Sequence, residues 1–177
     1  MTTLQLKKVQ QTESEIDFYY TLLKRCGVHM YQTLKLEHWY PYMDKETFKN
    51  KIKDKQMYGV FKNNLPIATF NLTTQPRDYY SESLWNTPAE KALYFGQFGI
   101  DPDYQKGGIG QWCIEQVEEI ARQLDCAAVR FDGLLMHPWL KHFYMKLGYQ
   151  PCGIVKPGKW ELLCFDKQLK DKVEKCE

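Results

Sequence analysis

The sequence predicts an α/β (α+β-like) fold: a mixed, mostly antiparallel twisted sheet flanked by helices. Three observations predict it. An apolar strand, Leu93 to Ile100, leads through a glycine-rich corner into a long amphipathic helix. Two pairs of short apolar runs close on turn residues, Asn63-Asn64 in one and Pro157-Gly158 in the other. The order of elements is strand, helices, antiparallel strands, strand–helix–strand–helix, hairpin. At 177 residues the length suits a single domain, residues 1–177.

Leu4, Leu6 and Val9 mark a short first strand. Thr12 with Glu15 three residues on makes a capping box. The helix behind it turns Ile16, Tyr19, Tyr20 and Leu23 inward and is expected to end near Gly27. Val28 to Met43 is rich in aromatic residues, with Tyr31, His38, Trp39, Tyr40 and Tyr42, and Pro41 argues against an uninterrupted helix through it. Asp44 caps a further helix, Glu46 to about Lys55. Met57 to Phe61 and Pro66 to Thr73 read as a hairpin. Gln75 to Glu90, polar and carrying Pro76 and Pro88, reads as an irregular excursion. After the central strand comes a helix with Ile109, Cys113, Val117, Ile120 and Leu124 at three- and four-residue spacing. Ala127 to Phe131 is the next strand. Pro138 suits the first turn of the following helix and Gly148 its C-terminal cap. Tyr149 to Val155 and Trp160 to Phe165 form the last hairpin.

Composition narrows the function classes. Apolar residues make up 44%, enough for a packed core and against disorder. The 24 basic and 22 acidic residues leave a net charge of +2, too small to argue for nucleic acid or an anionic membrane. No apolar run approaches membrane-spanning length, and the N-terminus has no apolar signal core. Cys26, Cys113, Cys126, Cys152, Cys164 and Cys176 show no metal-ligand spacing. They read as reduced thiols of a cytoplasmic protein, with no metal and with Cys176 exposed in the tail. Lys167, Lys170, Lys172 and Lys175, alternating with Asp171 and Glu174, read as a solvated tail.

The corner Gln105-Lys106-Gly107-Gly108-Ile109-Gly110 carries the chemistry. A strand that turns into a helix here leaves backbone N–H groups unpaired, and the helix dipole adds positive charge, so the site suits a phosphate or pyrophosphate. Its spacing fits neither the nucleoside-triphosphate loop nor the dinucleotide fingerprint. It resembles the Gln/Arg-x-x-Gly-x-Gly/Ala signature of the GNAT superfamily of N-acetyltransferases. His137-Pro-Trp-Leu-Lys-His-Phe-Tyr-Met-Lys-Leu-Gly-Tyr149 is similar to that superfamily's closing motif, Asn-x-x-Ala-x-x-Phe-Tyr-x-Lys-x-Gly-Phe/Tyr. The specific similarity covers residues 93–153. Two departures stand out: His137 replaces Asn and Leu140 replaces Ala.

The resemblance implies a GNAT-type sheet with two splayed parallel central strands and an acetyl-CoA donor. It implies that Gln105, Lys106, Gly107, Gly108, Ile109 and Gly110 hold the pyrophosphate. Phe98, Gly99 and Ile100 would pair with the pantetheine arm as though it were a strand, where Gly96 and Gly99 fit a bulge or a close approach. Tyr144 holds the position of the phenol that protonates the departing thiolate and lies against the cofactor. Leu93 to Ile100 contains no carboxylate, so a general base is not evident. Gln97 can orient an amine or a water but cannot usefully accept a proton; Asp132, Glu161, His137 and a water chain are open alternatives, with His137 suited to proton relay by its imidazole. Trp39, Tyr40, Tyr42 and Gln97 are candidate acceptor-binding residues, and Arg77, Tyr79 and Tyr80 a candidate rim. The implied activity is transfer of an acetyl group to a primary amine of a small molecule or a peptide or protein, by a monomer or homodimer. The alternative is a catalytically idle acyl-CoA-binding sensor or interaction module of the same fold.

Overall fold

The computed structural model describes residues 3–169. Seven strands form one sheet: β1 (Leu4–Lys8), β2 (Gln56–Lys62), β3 (Leu65–Thr73), β4 (Ala92–Ile100), β5 (Ala128–Leu134), β6 (Gln150–Val155) and β7 (Leu162–Gln168). Their order across the sheet is β1-β2-β3-β4-β5-β7-β6. Four α-helices among the described residues flank it: α1 (Glu13–Leu34), α2 (Lys45–Ile52), α3 (Ile109–Gln123) and α4 (Leu140–Lys146). β4 and β5 are the parallel pair, from Ala92 opposite Ala128 to Tyr94 opposite Arg130. The pairs β1–β2, β2–β3, β5–β7 and β6–β7 are antiparallel. The described chain divides into two compact units, residues 3–73 with 95–113 and residues 74–94 with 114–169.

In the first unit, Thr12 and Glu15 form the expected capping box at the start of α1. The helix does not stop at Gly27; it continues to Leu34, where Lys35 takes the left-handed cap at φ 57°. Gly27 has a packing role instead. A Cβ there would lie 2.1 Å from the Trp39 carbonyl oxygen, so the aromatic segment could not lie against the helix. Ile16, Tyr19 and Leu23 of α1 pack with Val9, Phe48, Ile52 and Met57, and Tyr20, Trp39 and Tyr42 cover that cluster. Asp44 caps α2 through the Thr47 N–H. Asn63 and Asn64 both adopt positive φ, as a two-residue hairpin turn requires.

The second unit contains the excursion between β3 and β4, which has one short 3₁₀ turn, Glu82–Leu84. Tyr80, Trp85 and Ala89 from it pack over Ala92, Tyr94 and Ala128. The excursion is pinned to the sheet by two buried carboxylates. Asp132 on β5 accepts from the hydroxyls of Tyr79, at 3.0 Å, and Tyr80. Asp166 on β7 accepts from the Thr87 N–H at 2.7 Å.

The α3 stripe departs from expectation at its end. Ile109, Cys113, Ile114, Val117 and Ala121 are buried, but Leu124 is 42% exposed because the helix ends at Gln123. Gly148 takes φ +86° behind α4, and its N–H donates to the Met145 carbonyl, as a left-handed cap should. α4 itself begins at Leu140, so Pro138 precedes the helix rather than filling its first turn. The β6–β7 register shifts between Pro151 and Gly153.

Lys167 is not part of a solvated tail. It lies in β7, bonds Glu118 Oε1 and the Leu147 carbonyl at 2.7 Å each, and so caps the end of α4. Lys170, Asp171, Lys172, Glu174, Lys175 and Cys176 lie outside the described residues. The five described cysteines are free thiols. Burial pushes Cys26, Cys113 and Cys164 up to about 12, so these sulfurs stay protonated and unreactive.

Candidate active site

The first unit carries the glycine-rich corner Gln105–Gly110. β4 ends at Ile100, Asp101 caps the short turn Pro102–Tyr104, and α3 starts at Ile109. Arg25 holds the entry in place through Asp101 at 2.7 Å and Asp103 at 3.1 Å. Gln105, Lys106, Gly107 and Gly108 are exposed, and Ile109 anchors the corner by its buried side chain. The Trp112 N–H donates to the Gly108 carbonyl at 3.0 Å. The amides ahead of it therefore face out of the helix N-terminus.

Lys106 at φ 72° and Gly108 at φ 74° are left-handed, the backbone pattern of an anion-binding nest. A Cβ on Gly108 would meet nothing within 4 Å. On the reading that the corner holds the donor's pyrophosphate, Gly108→Val should weaken acetyl-CoA binding by about tenfold or more, since it puts a side chain beside the backbone N–H groups and disfavours the φ 74° angle by about 1–2 kcal/mol. Calorimetry on the folded variant checks this, and an unchanged Kd would remove the corner from donor binding.

β4 carries its kink at Gln97, which takes φ 46°, and not at the glycines beside it. Gly99 instead makes room for α1, since a Cβ there would lie 2.7 Å from Leu23 Cδ2. The Phe98 ring packs on Phe70 and Phe95. The Ile100 carbonyl accepts from Gln105 Nε2 at 3.2 Å and from Cys26 Sγ at 3.3 Å, which leaves little acceptor capacity on that oxygen.

Gln97 lies beside two polar side chains, Asn71 and Tyr42. Its Oε1 accepts from Asn71 Nδ2, while its Nε2 is buried without a hydrogen-bond partner. The Tyr42 hydroxyl beside it is also buried and unpartnered, and burial raises that phenol, partly offset by the Gln97 amide. Tyr42 packs on Tyr20 and Trp39. Of the four acceptor candidates, Trp39, Tyr42 and Gln97 thus belong to one cluster. Tyr40 stacks on Tyr31 instead, with ring centroids 4.2 Å apart. Asn71, a buried amide that stands with Thr69 as a polar residue in the run from Ile67 to Leu72, was the signal available in sequence.

The second unit carries Tyr144 and His137. Tyr144 is 6% exposed, its ring 4.4 Å from Phe131 and 5.2 Å from Phe165 by centroids. His137 sits in the turn between β5 and α4. Its Nδ1 accepts from the Trp139 N–H at 3.4 Å. The neutral ring then carries its proton on Nε2 and presents a donor there. Burial lowers the His137 pKa below its ordinary value, so the ring is neutral at pH 7.

Asp132 is engaged by Tyr79 and Tyr80 and lies 3.6 Å from Arg77 Nη1. Burial opposes the Arg77 charge, but the Asp132 carboxylate outweighs it and raises the pKa. Two phenols and a guanidinium thus surround this carboxylate. Glu161 is paired with Lys156 Nζ at 2.5 Å. The rim candidates Arg77, Tyr79 and Tyr80 therefore serve as anchors on Asp132. No group of His, Cys, Asp and Glu that could hold a metal ion occurs among the described residues. No described helix is long and apolar enough to cross a membrane.

A family model described as the Acetyltransferase (GNAT) family matches residues 16–149. No curated protein sequence matches the chain. Among solved structures, the chain is similar to a GNAT-family acetyltransferase from Streptococcus agalactiae, with TM-score 0.76 and 17% identity over 95% of this chain and 96% of that one. It is similar to the ribosomal-protein-S18-alanine N-acetyltransferase of Escherichia coli, with TM-score 0.67 and 12% identity over 99% of each chain. A GNAT-family acetyltransferase from Elizabethkingia anophelis, with acetyl-CoA bound, aligns at TM-score 0.64 and 14% identity over 94% of this chain and 98% of that one. At these identities the likeness is one of fold.

Proposed function

Because the chain belongs to the acetyltransferase (GNAT) family, we propose that it is an acetyl-CoA-dependent N-acetyltransferase acting on a primary amine of a small molecule or of a peptide or protein. Residues 1–177 serve as one catalytic domain, in a cytoplasmic monomer or homodimer. The observation that supports this reading is the exposed, left-handed corner ahead of α3, where a Cβ on Gly108 would meet nothing within 4 Å.

In this reading the corner from Gln105 to Gly110 binds the pyrophosphate through backbone N–H groups, and Lys106 adds charge. Backbone groups of Phe98 and Gly99, with the Ile100 N–H, orient the pantetheine arm. Gln97 and Tyr42, with Trp39 behind them, orient the amine. Acetyl-CoA supplies the activated thioester. The amine nitrogen attacks its carbonyl carbon, the C–S bond breaks, and Tyr144 gives its phenolic proton to the departing thiolate. The amine proton leaves to water, while His137 donates through Nε2 to an acceptor oxygen.

This assignment of His137 makes a prediction. His137→Asn, which restores the residue usual in the superfamily's motif, should keep kcat/KM within about threefold, far short of the roughly 10²–10⁴-fold loss expected for a missing general base. The acid limb of the kcat/KM profile should be unchanged in the variant. Loss of a limb below pH 6.5 together with a large fall in kcat would make His137 the base.

A second reading, an idle acyl-CoA-binding module, draws on the absence of a carboxylate from β4. Thiol release from acetyl-CoA across an amine library separates the two. Binding of acetyl-CoA with no release for any amine would overturn the transferase reading.

A further inference from the structure

α4, the helix that carries Tyr144, has seven residues, about two turns, and is far too short to be stable alone. Its N-cap, Trp139, makes no side-chain cap bond. Its last turn is closed by backbone bonds that converge on Tyr144: the Leu147 and Tyr149 N–H groups both donate to the Tyr144 carbonyl, at 3.0 and 3.1 Å. The Leu147 carbonyl lies beyond these bonds and accepts from Lys167 Nζ at 2.7 Å. β7 lies between β5 and β6, so the end of α4 is tied by a charge-assisted bond to an interior strand.

Lys167 is itself held. Glu118 of α3 accepts from its Nζ at 2.7 Å, and that carboxylate side chain is only 11% exposed. Arg122, one turn further along α3, lies 3.5 Å from the other carboxylate oxygen. The Lys167 ammonium stands 5.2 Å from the Tyr149 ring centroid, and that ring is 6.0 Å from the Tyr144 ring. All of these residues belong to the second unit. Phe131 and Phe165 pack on the Tyr144 ring, but apolar packing is non-directional. It holds the ring without fixing how far the helix end lies along its axis. The Lys167 bond is directional and supplies that constraint.

We propose that Lys167, clamped by Glu118, is a positioning residue for the Tyr144 hydroxyl. The clamp fixes where the phenol stands when the thiolate departs. This inference rests on the general-acid role of Tyr144 in the N-acetyltransferase reading. A misplacement of about 1 Å at a reacting group can cost a hundredfold in rate. A residue that acts only through Tyr144 cannot cost more than the loss of the hydroxyl itself.

The test is a double-mutant cycle read by kcat at saturating acceptor. Lys167→Met removes the donor and keeps an apolar stem. It should lower kcat about tenfold and leave the acetyl-CoA Kd unchanged. In the Tyr144→Phe background the same replacement should change kcat by less than about twofold, because the group it positions is gone. Removing one partner of a half-buried pair can also unfold the chain, so Lys167→Met with Glu118→Gln, which removes the stranded carboxylate, is measured beside it. The pair should show the same fall in kcat. A merely structural lysine would lower the urea midpoint and leave kcat of the folded protein at the wild-type value, which would overturn the inference. Equal falls in kcat in both backgrounds would overturn it too, since Lys167 would then act elsewhere. Tyr144→Phe about a hundredfold down, with Lys167→Met at the wild-type rate, would remove the positioning role and leave the general acid standing. Tyr144→Phe at the wild-type rate would overturn both.

Discussion

Replacing Asp166 by alanine is expected to destabilise the fold by about 3–5 kcal/mol, the scale for breaking a buried ion pair by removing one partner. Asp166 is 1% exposed and lies directly opposite Arg130 in the β5–β7 register. Its Oδ1 lies 3.4 Å from Arg130 Nε, and its Oδ2 accepts from the Thr87 N–H at 2.7 Å. Arg130 in turn bonds the Thr87 carbonyl and sits over the Trp85 ring at 4.9 Å. Alanine would leave the guanidinium buried without its counter-charge and the Thr87 N–H without an acceptor.

In a chain of this length the loss corresponds to a fall in Tm of roughly 10 °C. Urea unfolding of Asp166→Ala measures it. The double replacement Asp166→Leu with Arg130→Met should recover much of the stability, because the desolvation of both charges disappears with them. An Asp166→Ala protein within about 1 kcal/mol of wild type would place the pair with exposed bridges such as Lys156–Glu161, which contribute little.

These anchors mark the boundary of what the sequence discloses. Thr12 with Glu15, Asp44, Asn63-Asn64 and Gly148 act on backbone groups within four residues, so their signals are local and all four were legible. The corner at Gln105–Gly110 was legible for the same reason. Gly27 misled because an isolated glycine reads as a helix stop, whereas its cause is the Trp39 carbonyl packed against it. The left-handed residue in β4 fell on Gln97 rather than on Gly96 or Gly99, since Gly99 is required by α1 and the Asn71 bond holds Gln97. The excursion from Gln75 to Glu90 was legible as irregular but not as pinned. Its partners Asp132 and Asp166 lie 52 and 79 residues from Tyr80 and Thr87, and pairings at such separation leave no periodic trace. What hinted at them was a charged residue inside an apolar strand, Arg130 and Asp132 in β5 and Asp166 in β7.

Tyr144→Phe is expected to lower kcat by about a hundredfold while leaving acetyl-CoA affinity near that of the wild type, the lower end of the range for a general acid. The lower end is expected because a thiol, with a pKa of about 8.5, leaves fairly readily without help. Phenylalanine keeps the ring that packs between Phe131 and Phe165, so the cluster is retained and the change is confined to one hydroxyl. A group that acts only in the transition state lowers kcat and kcat/KM together and leaves donor binding alone. A purely structural phenol behaves differently. Losing its hydrogen bond would cost about 1 kcal/mol of stability, with turnover nearly normal. Three measurements on the same protein therefore separate the roles: kcat with a saturating acceptor, the acetyl-CoA Kd, and the urea midpoint. An unchanged kcat, under conditions where the absence of a pre-steady-state burst shows that chemistry limits the rate, would remove Tyr144 from the mechanism and leave water to protonate the thiolate.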